Sequence, residues 1–156
     1  MRISLIQTGK TRDAYLVEGI EGFHKRVVRY VPFAVETIPD LKNARNFTMK
    51  EVQEKEGVQI LRRIKPSDHV ILLDERGKSF DSITFARHLN SLEGRVGQLV
   101  FVIGGPYGFS SEVYARANEK FSLSALTFSH QMVRLLFMEQ LYRAYTILKG
   151  EPYHHA

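Results

Sequence analysis

The sequence predicts an α/β fold with a mostly parallel sheet, and three observations predict it. Short β-branched runs alternate with stretches of helical periodicity along all 156 residues, the pattern of successive βα units. The run LVFVI, Leu99–Ile103, shows no polar alternation, as a strand buried on both faces requires. It stops at Gly104 and Gly105, which places a glycine loop at a strand end, where open α/β sheets bind ligands through exposed peptide groups. The loop GGPYG has neither the G-x-G-x-x-G order nor a following G-K-[ST], so a ligand other than a dinucleotide or triphosphate is favoured.

Taken in order, Arg2–Thr8 reads as a first strand. Thr11 or Asp13 caps a helix whose Leu16, Ile20, Phe23 and Val27 recur on one face. Pro32–Ile38 reads as a second strand, stopped by Pro39 and Asp40. The T-M-K-E pattern of Thr48–Glu51 is a capping box and opens a charged helix to about Ile64. His69–Leu73, HVILL, supplies a third strand, and Asp74–Gly77 reads as a turn after it. Asp81 or Ser82 caps a helix carrying Ile83, Phe85, Ala86 and Leu89. Beyond LVFVI and its loop, Ser110 or Ser111 caps a short helix, Phe121–Leu126 returns to extended chain, and a last helix runs from about His130 to Leu148. No internal repeat or linker interrupts this series, so residues 1–156 are expected to form a single domain.

That last helix is apolar nearly all round. Met132, Val133, Leu135, Leu136, Phe137, Met138, Leu141, Ala144, Tyr145 and Leu148 cannot all face one core, so a second face must be covered elsewhere. A two-fold partner is the simplest cover, and a homodimer with this helix in the interface is expected.

Cysteine is absent, which excludes disulfides, and no metal-ligating set occurs at zinc-like spacing. No apolar run reaches about 18 residues and no signal core follows Met1, so a soluble cytoplasmic protein is expected, with neither membrane nor DNA as partner. The net charge of +5 lies wholly in residues 1–66, with 13 Lys and Arg against 8 Asp and Glu, while residues 67–156 balance at 9 and 9. A basic half near a ligand site can steer a polyanion such as RNA; solvated helix faces explain the same excess.

Two loops stand out near one end of the expected sheet, Gly104–Gly108 and Ser122–Phe128. Together they can enclose a flat, uncharged, polar ring through backbone hydrogen bonds, as an adenine requires. The stretches IGGPYGF, SLSALTF and SHQMVRLLFMEQLYRAYTILKGEPYH, with ISLIQTGK, QEKEGVQIL and LDERGK before them, resemble the RlmH family over the whole chain. These are bacterial large-subunit ribosomal RNA pseudouridine N3 methyltransferases of the SPOUT class. The resemblance implies a C-terminal deep trefoil knot, an exception to the rule against threaded loops. It also implies S-adenosyl-L-methionine bound by the knot loops, and an active site at a dimer interface. On this chain the cofactor contacts then fall on Leu73, Gly104, Gly105, Leu123, Ser124, Ala125, Leu126, Thr127 and Phe128. The implied substrate is a pseudouridine in a loop of 23S rRNA within the assembled ribosome.

Methyl transfer from a sulfonium needs an in-line nucleophile and no acid at sulfur. The target ring nitrogen is protonated at neutral pH, so the site must take that proton or stabilise the anion left behind. The candidates are His130, Arg134, Arg143, Tyr153 and His154. Each has a structural alternative. His130 can cap the last helix, Arg134 and Arg143 can pair with Glu139, and tail residues are usually disordered. Pro152, Tyr153 and His154 match the family's tail, while His155 stands where the family carries Arg or Lys. Two rival functions are a SPOUT enzyme acting on another RNA nucleotide and a non-catalytic ribosome-binding factor.

Overall fold

The β-branched runs all enter one sheet. In the computed structural model, which describes residues 1–156, β1 (Arg2–Thr8), β2 (Phe33–Ile38), β3 (His69–Ser79), β4 (Gln98–Ile103) and β5 (Glu119–Ser122) pair in the order β2-β1-β4-β3-β5. Every pairing is parallel, with Leu5 opposite both Val35 and Phe101, and Leu73 opposite both Ile103 and Phe121. Helices α1 (Ala14–Val27), α2 (Met49–Leu61), α3 (Ser82–Leu92), α4 (Ser111–Arg116) and α5 (Met132–Leu148) make the crossovers and cover both faces.

β4 sits at the centre, and its alternating side chains divide the core in two. Leu99, Phe101 and Ile103 pack with residues of α1, α3 and α5, among them Val27, Phe85, Leu89, Phe137 and Leu141. Val100 and Val102 point the other way, to Ile60 on α2 and Val113 on α4. All five side chains are buried, which accounts for a run with no polar alternation. No helix is long and apolar enough to cross a membrane.

Local signals set most boundaries. Thr48 and Glu51 form both halves of the capping box, Asp81 accepts from the Thr84 N–H at 2.7 Å, and Ser110 accepts from the Val113 N–H at 3.3 Å. Asp13 holds the N-cap position of α1, but its side chain makes no capping bond. α2 ends at Leu61, short of Ile64.

Three expectations are corrected. Asp74–Gly77 is no terminating turn: β3 runs on to Ser79, with a register shift against β5 between Leu73 and Lys78. Gly77 makes this possible, because the backbone of Lys120 and Phe121 lies where any Cβ on it would sit. β5 is shorter than expected and leaves the ladder at Ser122, so Leu123–Leu126 is loop. α5 begins at Met132 and not at His130.

Candidate functional site

The carboxyl ends of β3, β4 and β5 lie side by side, and the chain leaving each contributes a wall to one cavity of about 720 Å³. From β4, the segment Gly104–Gly108 closes into a tight turn in which the Gly108 N–H donates to the Gly105 carbonyl at 3.2 Å. Gly108 takes a φ of +76°, a conformation open to glycine at little cost. The turn is held from outside by Gln53 on α2, whose amide donates to the Tyr107 carbonyl at 2.5 Å. From β5, the segment Leu123–Phe128 folds on its own side chains. The Ser122 hydroxyl donates to the Ser124 carbonyl at 2.9 Å, and the Ser124 hydroxyl accepts from the Leu126 N–H at 3.0 Å. From β3, Glu75 accepts from the Thr127 hydroxyl at 3.1 Å and ties that loop to the strand.

Leu73, Gly104, Gly105, Leu123, Ser124, Leu126, Thr127 and Phe128 all line this cavity; Ala125 does not. The walls add apolar Ile103, Phe109 and Val133, and the acidic Asp74 and Glu75. Tyr114 donates its hydroxyl to Asp74 and accepts from Arg76 at 3.3 Å, which closes this side of the site.

His130 is on the cavity wall as well. Burial holds its pKa below the ordinary 6.5, and the positive charges of Arg134 and Arg12 add to the effect. The ring is therefore neutral at pH 7 and free to accept a proton. It does not cap α5: Gln131 holds the N-cap position, and the Met132 N–H donates to the Ser129 hydroxyl at 3.1 Å.

Arg134 has a different position. It is fully buried, and its guanidinium donates to the carbonyls of Thr8 at 2.6 Å and Gly9 at 2.8 Å and to the Thr11 hydroxyl at 3.0 Å. This clamps the first turn of α5 to the end of β1. The reading of Arg134 as a hand for substrate meets no exposed surface, and its pairing with Glu139 does not form.

Glu139 serves Arg143 and the tail instead. Its Oε1 accepts from Arg143 Nη2 at 2.5 Å, from Arg143 Nε at 3.0 Å and from the Tyr153 hydroxyl at 3.0 Å. The Arg143 guanidinium lies 4.6 Å from the Tyr153 ring centroid, and its Nη1 is 3.1 Å from His154 Nδ1. These contacts pin Tyr153 and His154 against α5. Burial, then the bond to Glu139, raises the Tyr153 pKa, so the phenol keeps its proton at neutral pH. His154 faces a second cavity of about 510 Å³, beside Asp81, Ser82 and Gln140. The two cavities share Phe121, Leu123, Ser124 and Phe128 as a common wall. Within one chain, then, His130 belongs to the larger cavity and the Arg143–Tyr153–His154 group lies apart from it.

Reading the sequence missed Gln53 and Glu56 on α2 and the Asp74–Tyr114 pair. The QEKEGVQIL stretch carried a signal for α2, since it sets Glu56 and Gly57 together at positions that prove to be buried.

A family model described as a predicted SPOUT methyltransferase matches residues 1–154. Two bacterial proteins named ribosomal RNA large subunit methyltransferase H are similar along their full length. The one from Parabacteroides distasonis is 53% identical over 156 residues, with 99% of each chain covered. The one from Flavobacterium johnsoniae is 51% identical with the same coverage, 99% of each. Among solved structures, the SpoU methyltransferase AviRb from Streptomyces viridochromogenes in complex with AdoMet aligns with 97% of this chain and 59% of its own. At 12% identity and a TM-score of 0.44, that likeness is too distant to argue from.

Proposed function

Because this chain belongs to the SPOUT methyltransferase family, and within it to the ribosomal RNA large subunit methyltransferase H group, we propose that it methylates N3 of a pseudouridine in a loop of 23S rRNA, with S-adenosyl-L-methionine as donor. The observation that carries the reading is the meeting of the Gly104–Gly108 and Leu123–Phe128 loops in one cavity with a neutral histidine on its wall.

The cavity suits the donor. Leu73, Ile103, Leu123 and Val133 offer apolar surface for a purine, and the two loops offer peptide groups for its edge. Asp74 and Glu75 suit a ligand that carries positive charge. When bound, S-adenosyl-L-methionine supplies a methyl group on a sulfonium, and the sulfur departs as a neutral thioether. The chain's own task is then to hold the base in line and to take the N3 proton. His130 accepts that proton in this reading, leaving an N3 lone pair to form the new N–CH3 bond. N3 lies on the Watson-Crick edge, so the target must be unpaired.

A homodimer completes the site. α5 packs on α1 and α3, yet Met132, Leu135, Leu136 and Tyr142 remain only half-buried in the single chain. Covering that face with a second copy would bring the Arg143, Tyr153 and His154 group of one chain towards the cavity of the other. There a guanidinium can hold phosphate or a base carbonyl, and an aromatic beside a histidine suits stacking on a base. The remaining parts of the reading are a single domain over residues 1–156 and a trefoil knot in the β4-to-α5 segment. They also include a cytoplasmic location and recognition of the assembled ribosome rather than free RNA.

Isothermal titration with S-adenosyl-L-methionine, with mass mapping of 23S rRNA after incubation with assembled ribosomes, tests the proposal. Specific binding and one added methyl on a loop pseudouridine are expected. Absence of binding leaves the ribosome-binding factor as the better account, and a methyl on another nucleotide redirects the substrate.

A further inference from the structure

Against the glycine loop, and outside the lining of the cavity, α2 presents Gln53, Glu56 and Gly57 on one face. Gln53 holds the Tyr107 carbonyl, and Gly57 lies so close to Ser110, the N-cap of α4, that a Cβ there would overlap its hydroxyl. Between these two anchors Glu56 lies against Gly105. A Cβ on Gly105 would stand 2.8 Å from both carboxylate oxygens. Glu56 is 7% exposed and its Oε1 has no hydrogen-bond partner. A buried carboxyl group without a partner is costly as an anion, so something must favour keeping it at that place.

We propose that Glu56 is a positioning residue that reads the charge of the ligand through the Gly104–Gly108 loop: a cationic sulfonium in the cavity favours its carboxylate form and drives off its proton. The inference rests on the methyl-donor reading above and deepens it, since it separates the charged donor from the neutral product. Burial, and after it the negative charge of Asp40, pushes Glu56 up to about 7, so both protonation states are available at neutral pH. The charged groups on the surrounding elements are Asp40, Lys42 and Arg45 before α2, Lys50, Glu51, Glu54 and Lys55 on α2 itself, and Glu112 and Arg116 on α4; the glycine loop adds only Tyr107. Asp40 is the one that acts on it, and Asp40 in turn faces Arg12, His130 and Arg134. No proton needs a further acceptor: the one that Glu56 loses goes to solvent.

The test is calorimetry of the full-length protein with S-adenosyl-L-methionine and, separately, S-adenosylhomocysteine, in buffers of different ionisation enthalpy between pH 6 and 8. Wild type is expected to release a fraction of a proton on binding the donor, with affinity rising about fivefold to tenfold over that range, as a coupling of roughly one pKa unit gives. The product, which lacks the sulfonium charge, should release less than half as much. Glu56→Gln should abolish the release and flatten the affinity profile. Should E56Q not fold, the carboxyl carbon shift of Glu56 in wild type, titrated with and without donor, reads the same coupling. Equal release for donor and product, release retained in E56Q, or pH-independent donor affinity overturns the proposal alone. Failure of wild type to bind the donor at all overturns the methyl-donor reading and this proposal with it.

Discussion

Replacing Arg134 with methionine separates a structural arginine from a catalytic one. The guanidinium makes three donations, to Thr8 O, Gly9 O and Thr11 Oγ1, and methionine fills a similar volume while making none. Hydrogen bonds from a charged donor contribute about 1.5–3 kcal/mol each, but the desolvation of the buried cation offsets part of their sum. The net loss is set at about 3–5 kcal/mol, because three acceptors lose their donor at about 1–3 kcal/mol each while the cost of burying a cation disappears. For a chain of this size that is roughly 6–20 °C in Tm. Urea denaturation at fixed protein concentration reads the change. Donor affinity should fall with it, because α5 begins beside the cavity. A variant that keeps wild-type stability and donor affinity but loses turnover would refute the structural assignment and return Arg134 to the chemistry.

Four further outcomes follow from the same geometry. His130→Asn should lower turnover by about 10²–10⁴-fold with donor affinity retained, and wild-type turnover should fall as the pH drops through its depressed pKa; unchanged single-turnover rates would remove it as base. Gly105→Ala should weaken donor binding by up to about tenfold, since its Cβ would stand 2.8 Å from the buried Glu56 carboxylate and either that side chain or the loop must give way; titration calorimetry decides. Glu56 has a folded pKa of about 7, above its unfolded value of 4.5, so its full contribution exists below pH 4.5 and is lost as pH rises through 7. Glu56→Gln should therefore gain on wild type by up to about 3 kcal/mol between pH 4.5 and 8, and a difference in unfolding free energy that stays flat with pH contradicts this. Tyr153→Phe removes one hydrogen bond to Glu139 and should cost about 1 kcal/mol, with turnover reduced if the tail acts on the base; a double-mutant cycle with Glu139→Gln measures the coupling.

Much of the architecture was legible because its causes are local. A continuous apolar run such as LVFVI has no exposed face to offer, so its place at the middle of the sheet follows from composition alone. Thr48, Asp81 and Ser110 cap helices through atoms three residues away, and such bonds are written in the sequence itself. The glycine loop was legible for the same reason, with Gly108 at a positive φ and a turn closed within four residues. The second loop, SLSALTF, was legible as small residues with exposed peptide groups near the same end of the sheet, and the resemblance to a known family added only which ligand it would hold.

What sequence could not settle was which distant groups would meet. An arginine within an apolar helix had to find acceptors, but Glu139, five residues on, was no better a candidate on paper than carbonyls more than 120 residues away. Folding decided for the carbonyls because parallel pairing ends β1 beside the first turn of α5, and a buried cation goes where several oxygens converge. Glu56 belongs to the same class: charge on a helix reads as solvated until packing sets Gly105 over it. Local chemistry specified the strands, caps and turns of this protein; the company kept by its buried charges was decided only when the sheet closed.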